Sequence, residues 1–316
     1  MITGIAPAKI NLFLRICGKT NTGYHLLDSV IAFTDFGDKL TLNTKPQTGV
    51  PDQLYFRGPF AAMLAPQQDT GKQNTGKQNT GKQDIGQQDI DQQASHQQND
   101  NADNLVMRAI AAFRTAGGRI GPVEITLEKH IPVGAGLGGG SADAAAALRL
   151  VNKCADRPLD DKTLYEIAAS LGADVPVCLG SYSARVAGIG TECTPYPVKR
   201  SAVLLVNPRQ PLSTAAVFSQ YKAAPSGDAG NLTNADPAAL LAYGNDLLAP
   251  ACRLVPEITA ILGQLRAAPG CLAATMSGSG ASCLGIFTSP DQAAAAAAAL
   301  RDGGYWTMPT LIKSGD

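Results

Sequence analysis

Between Pro132 and Val151 the chain reads PVGAGLGGGSADAAAALRLV, five glycines within seven positions followed by a run of alanines. Glycines at 134, 136, 138, 139 and 140 permit positive φ and let the backbone approach a ligand closely. The segment that follows is a strong helix former with Ser141 expected at its cap, so successive amides at the helix N-terminus would converge on an anion. Such a loop suits polyphosphate. It is not a Walker A loop, which needs a lysine after the glycines. The dinucleotide fingerprint G-x-G-x-x-G is formally present at Gly134, Gly136 and Gly139, but Asp156, about 20 residues on, stands in a polar turn rather than at a strand end.

Phosphoryl transfer to an alcohol also needs a proton acceptor, an oriented hydroxyl and positive charge or dipoles around the moving group. Asp174, in LGADVP, follows a helix stop, where the backbone can fix a carboxylate; a helix cap ahead of Pro176 explains it equally. Lys9 interrupts the apolar run AKINLFL, as a functional ammonium or as an edge-strand or snorkelling lysine. Asn11, two residues on, shares its strand face. Tyr24 and His25 in GYHLLD could simply cover a turn. Small residues in SGSGAS, Gly278, Ser279 and Gly280 among them, offer backbone donors or a packing turn. No His, Cys or Asp cluster has metal-ligand spacing.

These residues require a scaffold. Strands are expected at AKINLFLRICGK, bounded by Pro7 and Gly18, and at DKLTLNT, DQLYFRG, PVEITLEKHIPV, SAVLLVNP and CLGIF. Val106, Ile110 and Phe113 mark one helix, with an Asp near its start and Gly117 and Gly118 at its end. Leu164, Ile167, Ala168 and Leu171 mark another, capped by Asp160 or Asp161 and stopped at Gly172. Helical patterns follow around PAALLAYGNDLLAPA and VPEITAILGQLRAA, and SPDQAAAAAAALRDG closes the series with Ser289 or Asp291 as cap. The alternation predicts an α+β or α/β sandwich in two domains, 1–200 and 201–316. From about 66 to 101 a degenerate five-residue repeat, rich in glutamine and poor in apolar side chains, predicts a disordered surface insertion.

Twenty-six basic and 26 acidic residues balance, so the footprint of a nucleic-acid binder is missing. Seven scattered cysteines suggest free thiols, and no targeting or membrane-spanning segment is evident, which together predict a cytoplasmic location. Small-molecule partners are expected, with the oligomeric state left open.

The stretches APAKINLFLRI, PVGAGLGGGSADAAAA and ATMSGSGASCLGIF resemble the three motifs of the GHMP small-molecule kinases. PAKINLFL, TGYHLLDSV, NLVMRA, SLGADVPVCL, NDLLAP and MSGSGASCLGIF, in order, further resemble the branch of that superfamily that phosphorylates the 2-hydroxyl of 4-diphosphocytidyl-2-C-methyl-D-erythritol, a step of the non-mevalonate isoprenoid pathway. The resemblance implies a two-domain α+β fold, its N-terminal domain sharing a βαβ arrangement with ribosomal-protein-type domains and its C-terminal domain an α/β sandwich. It implies ATP bound by Pro132, Val133, Gly134, Ala135, Gly136, Leu137, Gly138, Gly139, Gly140, Ser141 and Ala142, with Mg2+ arriving on the nucleotide and Ser141 as its candidate contact. It makes Asp174 the catalytic base with Lys9 beside it, and Asn11 an orienting group for the accepting hydroxyl. Cytosine would lie between Tyr24 and Phe218 with His25 reading its edge, and Gly278, Ser279 and Gly280 would help hold the substrate's phosphates. The family often has proline where Ala215 stands, which leaves the shape of that wall open.

Overall fold

The computed structural model describes residues 1–45, 49–64, 103–233 and 235–314; the five-residue repeat lies outside them. Two long strands, β1 (Ile2–Lys19) and β2 (His25–Thr44), pair antiparallel through a turn in which Gly23 takes a φ of 88°. Both exceed their expected lengths. β1 runs straight past Pro7 because register shifts at Pro7/Lys9, Asn11/Phe13 and Ile16/Gly18 absorb the missing amide and add twist.

β3 (Gln53–Arg57), α1 (Leu105–Thr115), β4 (Val123–Glu128), α2 (Gly139–Cys154), α3 (Asp161–Leu171), α4 (Val175–Gly180), β5 (Ala184–Gly188) and β6 (Glu192–Pro195) complete the first half. The sheet runs β3-β4-β2-β5-β6, with β1 also paired to β2. Val106, Ile110 and Phe113 are buried as their spacing requires, but Asn104 rather than an aspartate caps α1, accepting from the Val106 amide at 2.9 Å. Asp160 caps α3.

The second half comprises β7 (Ala202–Asn207), α5 (Thr214–Ser219), α6 (Pro237–Leu240), α7 (Leu248–Leu254), α8 (Glu257–Ala267), β8 (Cys271–Met276), β9 (Cys283–Phe287), α9 (Pro290–Asp302) and β10 (Trp306–Leu311). Its sheet order is β10-β7-β9-β8. The helical pattern of PAALLAYGNDLLAPA is broken at Gly244 (φ 80°), because the Gly244 carbonyl and Asp246 amide bond to Leu14 of β1 at 3.0 and 2.9 Å. Tertiary pairing overrides local helical preference there. Between the two halves a further apolar cluster joins Ile10 and Phe13 of β1 to Leu205 and Ile286 of the second sheet. At roughly 1.5–3 kcal/mol for each large side chain fully buried, this cluster welds the halves along β1. Among the described residues no helix is long and apolar enough to cross a membrane.

Candidate active site

Over residues 8–12, alternation along β1 sends Ala8, Ile10 and Leu12 into the apolar core and leaves Lys9 and Asn11 on the opposite face. There the Lys9 ammonium meets the Asp174 carboxylate at 3.2 Å and the Asn11 carbonyl oxygen at 3.1 Å. The Asn11 amide nitrogen in turn donates to Ser29 Oγ at 2.8 Å, and Ser29 donates to the Phe13 carbonyl at 2.5 Å. The chain of bonds fixes the lysine. Asp174 precedes α4 in the cap position, yet its side chain makes no cap hydrogen bond and is 42% exposed, so the carboxylate is turned toward Lys9 and the cavity rather than spent on the helix. The far end of α4 is held by Arg149 of α2, which donates to the Cys178 and Leu179 carbonyls at 2.8 and 3.1 Å.

The glycine loop reaches the same cavity, a cleft of about 710 Å³. Helix α2 starts earlier than the sequence suggests: Gly138, with φ 64°, occupies the cap, and Ser141 lies inside the first turn. A side-chain cap is unnecessary when a left-handed glycine turns the chain. The first helical bond runs from the Ala142 amide to the Gly138 carbonyl, leaving the amides of 139–141 outside the ladder at the helix's positive end. Some of the glycines serve packing. A Cβ on Gly136 would lie 2.6 Å from the carbonyl oxygens of Ser277 and Gly280, so the loop can sit on the second glycine turn only without a side chain. Gly134 and Gly140 face open space. Leu137 and Ala142 bury their side chains in the core, outside the cavity lining.

The turn 277–280 packs against this loop. Ser277 accepts from the Asn11 amide at 3.2 Å and donates to the Gly136 carbonyl at 3.0 Å; Asn245 donates to the Met276 and Gly278 carbonyls, both at 2.8 Å. Gly278 and Ser279 line the cavity, Ser279 sharing a 2.8 Å hydrogen bond with Thr214, whereas Gly280 does not line it.

At the other end stand the aromatic residues. Phe218 lines the cavity and stacks on His25, ring centroids 4.9 Å apart and planes tilted 35°, while Tyr221 meets the same imidazole edge-on at 5.9 Å. His25 Nε2 is buried without a partner, and burial, aided by the Lys19 charge, lowers the imidazole pKa. Tyr24 is not brought to this group: the residue is 66% exposed on the β1–β2 turn.

Sequence reading misses a second Lys–Asp cluster. Lys129 is bound to Asp38, and to Asp143 at 2.8 Å, all three nearly inaccessible to solvent. Asp38 also accepts from the amides of His130 and Ile131, at 2.5 and 2.8 Å. Burial pushes the Asp143 carboxyl up to about 7, the Lys129 ammonium opposing and the Asp38 charge reinforcing the shift. The available signal is a lone charge in an alanine run whose neighbours are all apolar.

A glycine loop at a helix N-terminus and a Lys–Asp pair open onto one cleft, and the chain is a small-molecule kinase of the GHMP type. Residues 104–181 match the GHMP kinases N-terminal domain and residues 228–305 the GHMP kinases C-terminal domain. A relative from Rhodopseudomonas palustris named 4-diphosphocytidyl-2-C-methyl-D-erythritol kinase is 39% identical over 95% of this chain and 94% of its own. Another of that name, from Dinoroseobacter shibae, is 38% identical over 99% and 95%. A crystal structure of 4-(cytidine 5'-diphospho)-2C-methyl-D-erythritol kinase superposes with a TM-score of 0.72 at 29% identity, covering 99% of this chain and 100% of that one. A homoserine kinase from Cytophaga hutchinsonii, 18% identical with a TM-score of 0.62 and covering 98% of this chain and 95% of its own, shares the fold. The chain belongs to the 4-diphosphocytidyl-2-C-methyl-D-erythritol kinase family.

Proposed function

We propose that the cleft transfers the γ-phosphoryl group of ATP to the 2-hydroxyl of 4-diphosphocytidyl-2-C-methyl-D-erythritol, giving the 2-phosphate and ADP in the non-mevalonate isoprenoid pathway. The observation that carries this reading is the Lys9–Asp174 pair opening onto the same cavity as the glycine loop. ATP supplies the phosphoryl group and the ADP leaving group. Asp174 accepts the hydroxyl proton as the substrate oxygen bonds to the γ-phosphorus and the bond to the β–γ bridging oxygen breaks; the proton then passes to solvent, which its exposed carboxylate can reach. Lys9, held by Asn11, places positive charge where the alcohol oxygen becomes anionic.

The amides at 139–141 and the helix end stabilise phosphate charge, and the open space at Gly134 and Gly140 fits a polyphosphate. Magnesium is proposed to enter on those phosphates and neutralise their charge. Ser141, which lines the cavity, is the hydroxyl that would touch it; among the described residues no group of three or more His, Cys, Asp or Glu gathers as a metal site. Cytosine is proposed to pack on Phe218, which lines the cavity, with His25, which does not line it, turning its buried, unpaired Nε2 to the polar edge of the base. Tyr24 stacks on the outer face in this reading, turning in from solvent to do so. Gly278 and Ser279 face the substrate's diphosphate.

A coupled ADP-release assay tests the proposal by comparing the cytidine-diphospho substrate with the same sugar alcohol lacking the nucleotide. Stacking contributes about 1–3 kcal/mol for each aromatic partner, so kcat/KM for the truncated compound is expected to fall by about tenfold or more. Equal rates on the two compounds would contradict base recognition.

A further inference from the structure

The chain that follows α5 crosses back over the first half as a strap, residues 222–230, and is tied down there by charged side chains acting on its main chain. Arg15 of β1 donates to the carbonyls of Ser226 and Gly227 at 2.5 and 2.9 Å, and the Ser226 amide donates to the Ile16 carbonyl at 2.9 Å. Asp28 of β2, only 2% exposed, accepts both forks of the Arg185 guanidinium at 2.8 Å and the Ala229 amide at 2.7 Å. Arg185 extends its remaining nitrogen to the Gly230 carbonyl at 2.9 Å. Gly227 and Gly230 take φ of 72° and 66°, turning the strap's polar groups inward as side-chain-bearing residues rarely could.

Bidentate guanidinium–carboxylate pairs hold geometry as well as charge, and burying Asp28 is costly unless each of its oxygens is matched. Here that buried charge is matched to a segment of the other half, immediately after Phe218 and Tyr221. Tyr221 is itself tied to the strap, donating from its hydroxyl to the Ala224 carbonyl at 3.1 Å. Asp28 lies three residues from His25 on the same strand. One pinned strap therefore sets the distance between the imidazole and the two aromatic rings.

We propose that Asp28 and Arg185 are positioning residues for the nucleotide-base end of the cleft, anchoring the 222–230 strap so that Phe218 and Tyr221 stay registered against His25. The inference rests on the assignment of that end to the cytosine. It separates the residues that select the substrate from those that react with it: loosening the strap weakens capture of the base-bearing substrate and leaves the Lys9–Asp174 pair and the glycine loop in place.

The test is steady-state kinetics on Arg185→Lys, which keeps the charge and loses the fork, and on Arg15→Ala, which frees the strap from its other side. KM for the cytidine-diphospho substrate is expected to rise about tenfold in Arg185→Lys and by less in Arg15→Ala, with kcat and the KM for ATP within about twofold of wild type. Inhibition by free cytidine diphosphate should weaken in parallel, a readout that a general loss of stability would not move selectively. Should Arg185→Lys fold poorly, the double variant Asp28→Asn/Arg185→Gln removes both charges together and is expected to show the same KM split. Unchanged KM, or equal changes for both substrates, would overturn the positioning role while leaving the reaction standing. A wild-type enzyme that turns over the sugar alcohol as well with the nucleotide as without it would overturn the base assignment and this inference with it.

Discussion

Two lysine–aspartate clusters border one cavity and are built in opposite ways. Lys9 meets an aspartate that is 42% exposed, whereas Lys129 is sealed between Asp38 and Asp143, none of the three more than 4% exposed. Lys9 itself is only 7% exposed, but its carboxylate partner reaches water, so the Lys9–Asp174 contact is open on one side where the other cluster is closed on all. A buried cluster stands the other way: its charges are too costly to leave unmatched, and removing one partner costs about 3–5 kcal/mol. The half-open pair lines the cavity through Lys9 and Asp174; the sealed cluster ties Asp38 of β2 and Asp143 of α2 to Lys129 just past the end of β4.

The widest break of that contrast comes from Lys129→Met, which removes the ammonium that Asp38 and Asp143 share in the core. It is expected to lower unfolding stability by about 3–5 kcal/mol in urea titrations. A loss below about 1 kcal/mol would show that the cluster is not structural. A smaller effect follows from Asp143. Its folded pKa, about 7, lies above its ordinary 3.8, so the carboxyl takes up a proton on folding. Its contribution is present in full below the unfolded value and is lost as pH rises through about 7. Stability should therefore fall across that window with a slope of at most about 1.4 kcal/mol per pH unit, and Asp143→Asn should flatten it. Asp174→Asn is expected to cost less by the same titration than Lys129→Met, because Asn11 still accepts from Lys9 and the lost carboxylate is half-exposed.

Much of this was legible in the sequence where the signal is local. The caps Asp160 and Ser289, the buried face of α1, the all-apolar β7 and the glycine loop follow from spacing and turn chemistry. The common face of Lys9 and Asn11 follows from strand alternation; the hydrogen bond between them does not. What escaped is non-local. Asp38, Lys129 and Asp143 each read as an ordinary charge until three elements are folded together, and Asp28 and Arg185 stand 157 residues apart. β10 was obscured by Pro309, tolerated because β10 is an edge strand paired with β7 alone in its sheet. Tyr24 shows the limit on the functional side: its neighbour His25 packs on Phe218, yet one residue away the chain is a solvent-facing turn.

If the open pair reacts and the closed cluster holds, the decisive variant is Asp174→Asn. Turnover of the cytidine-diphospho substrate would be followed by ADP release and ATP affinity by titration on the same protein. The expected result is a fall in kcat of at least about a hundredfold, the lower end for loss of a general base, with ATP affinity and folding near wild type. A variant that keeps more than half of wild-type turnover would contradict it, leaving Asp174 as the residue that merely begins α4.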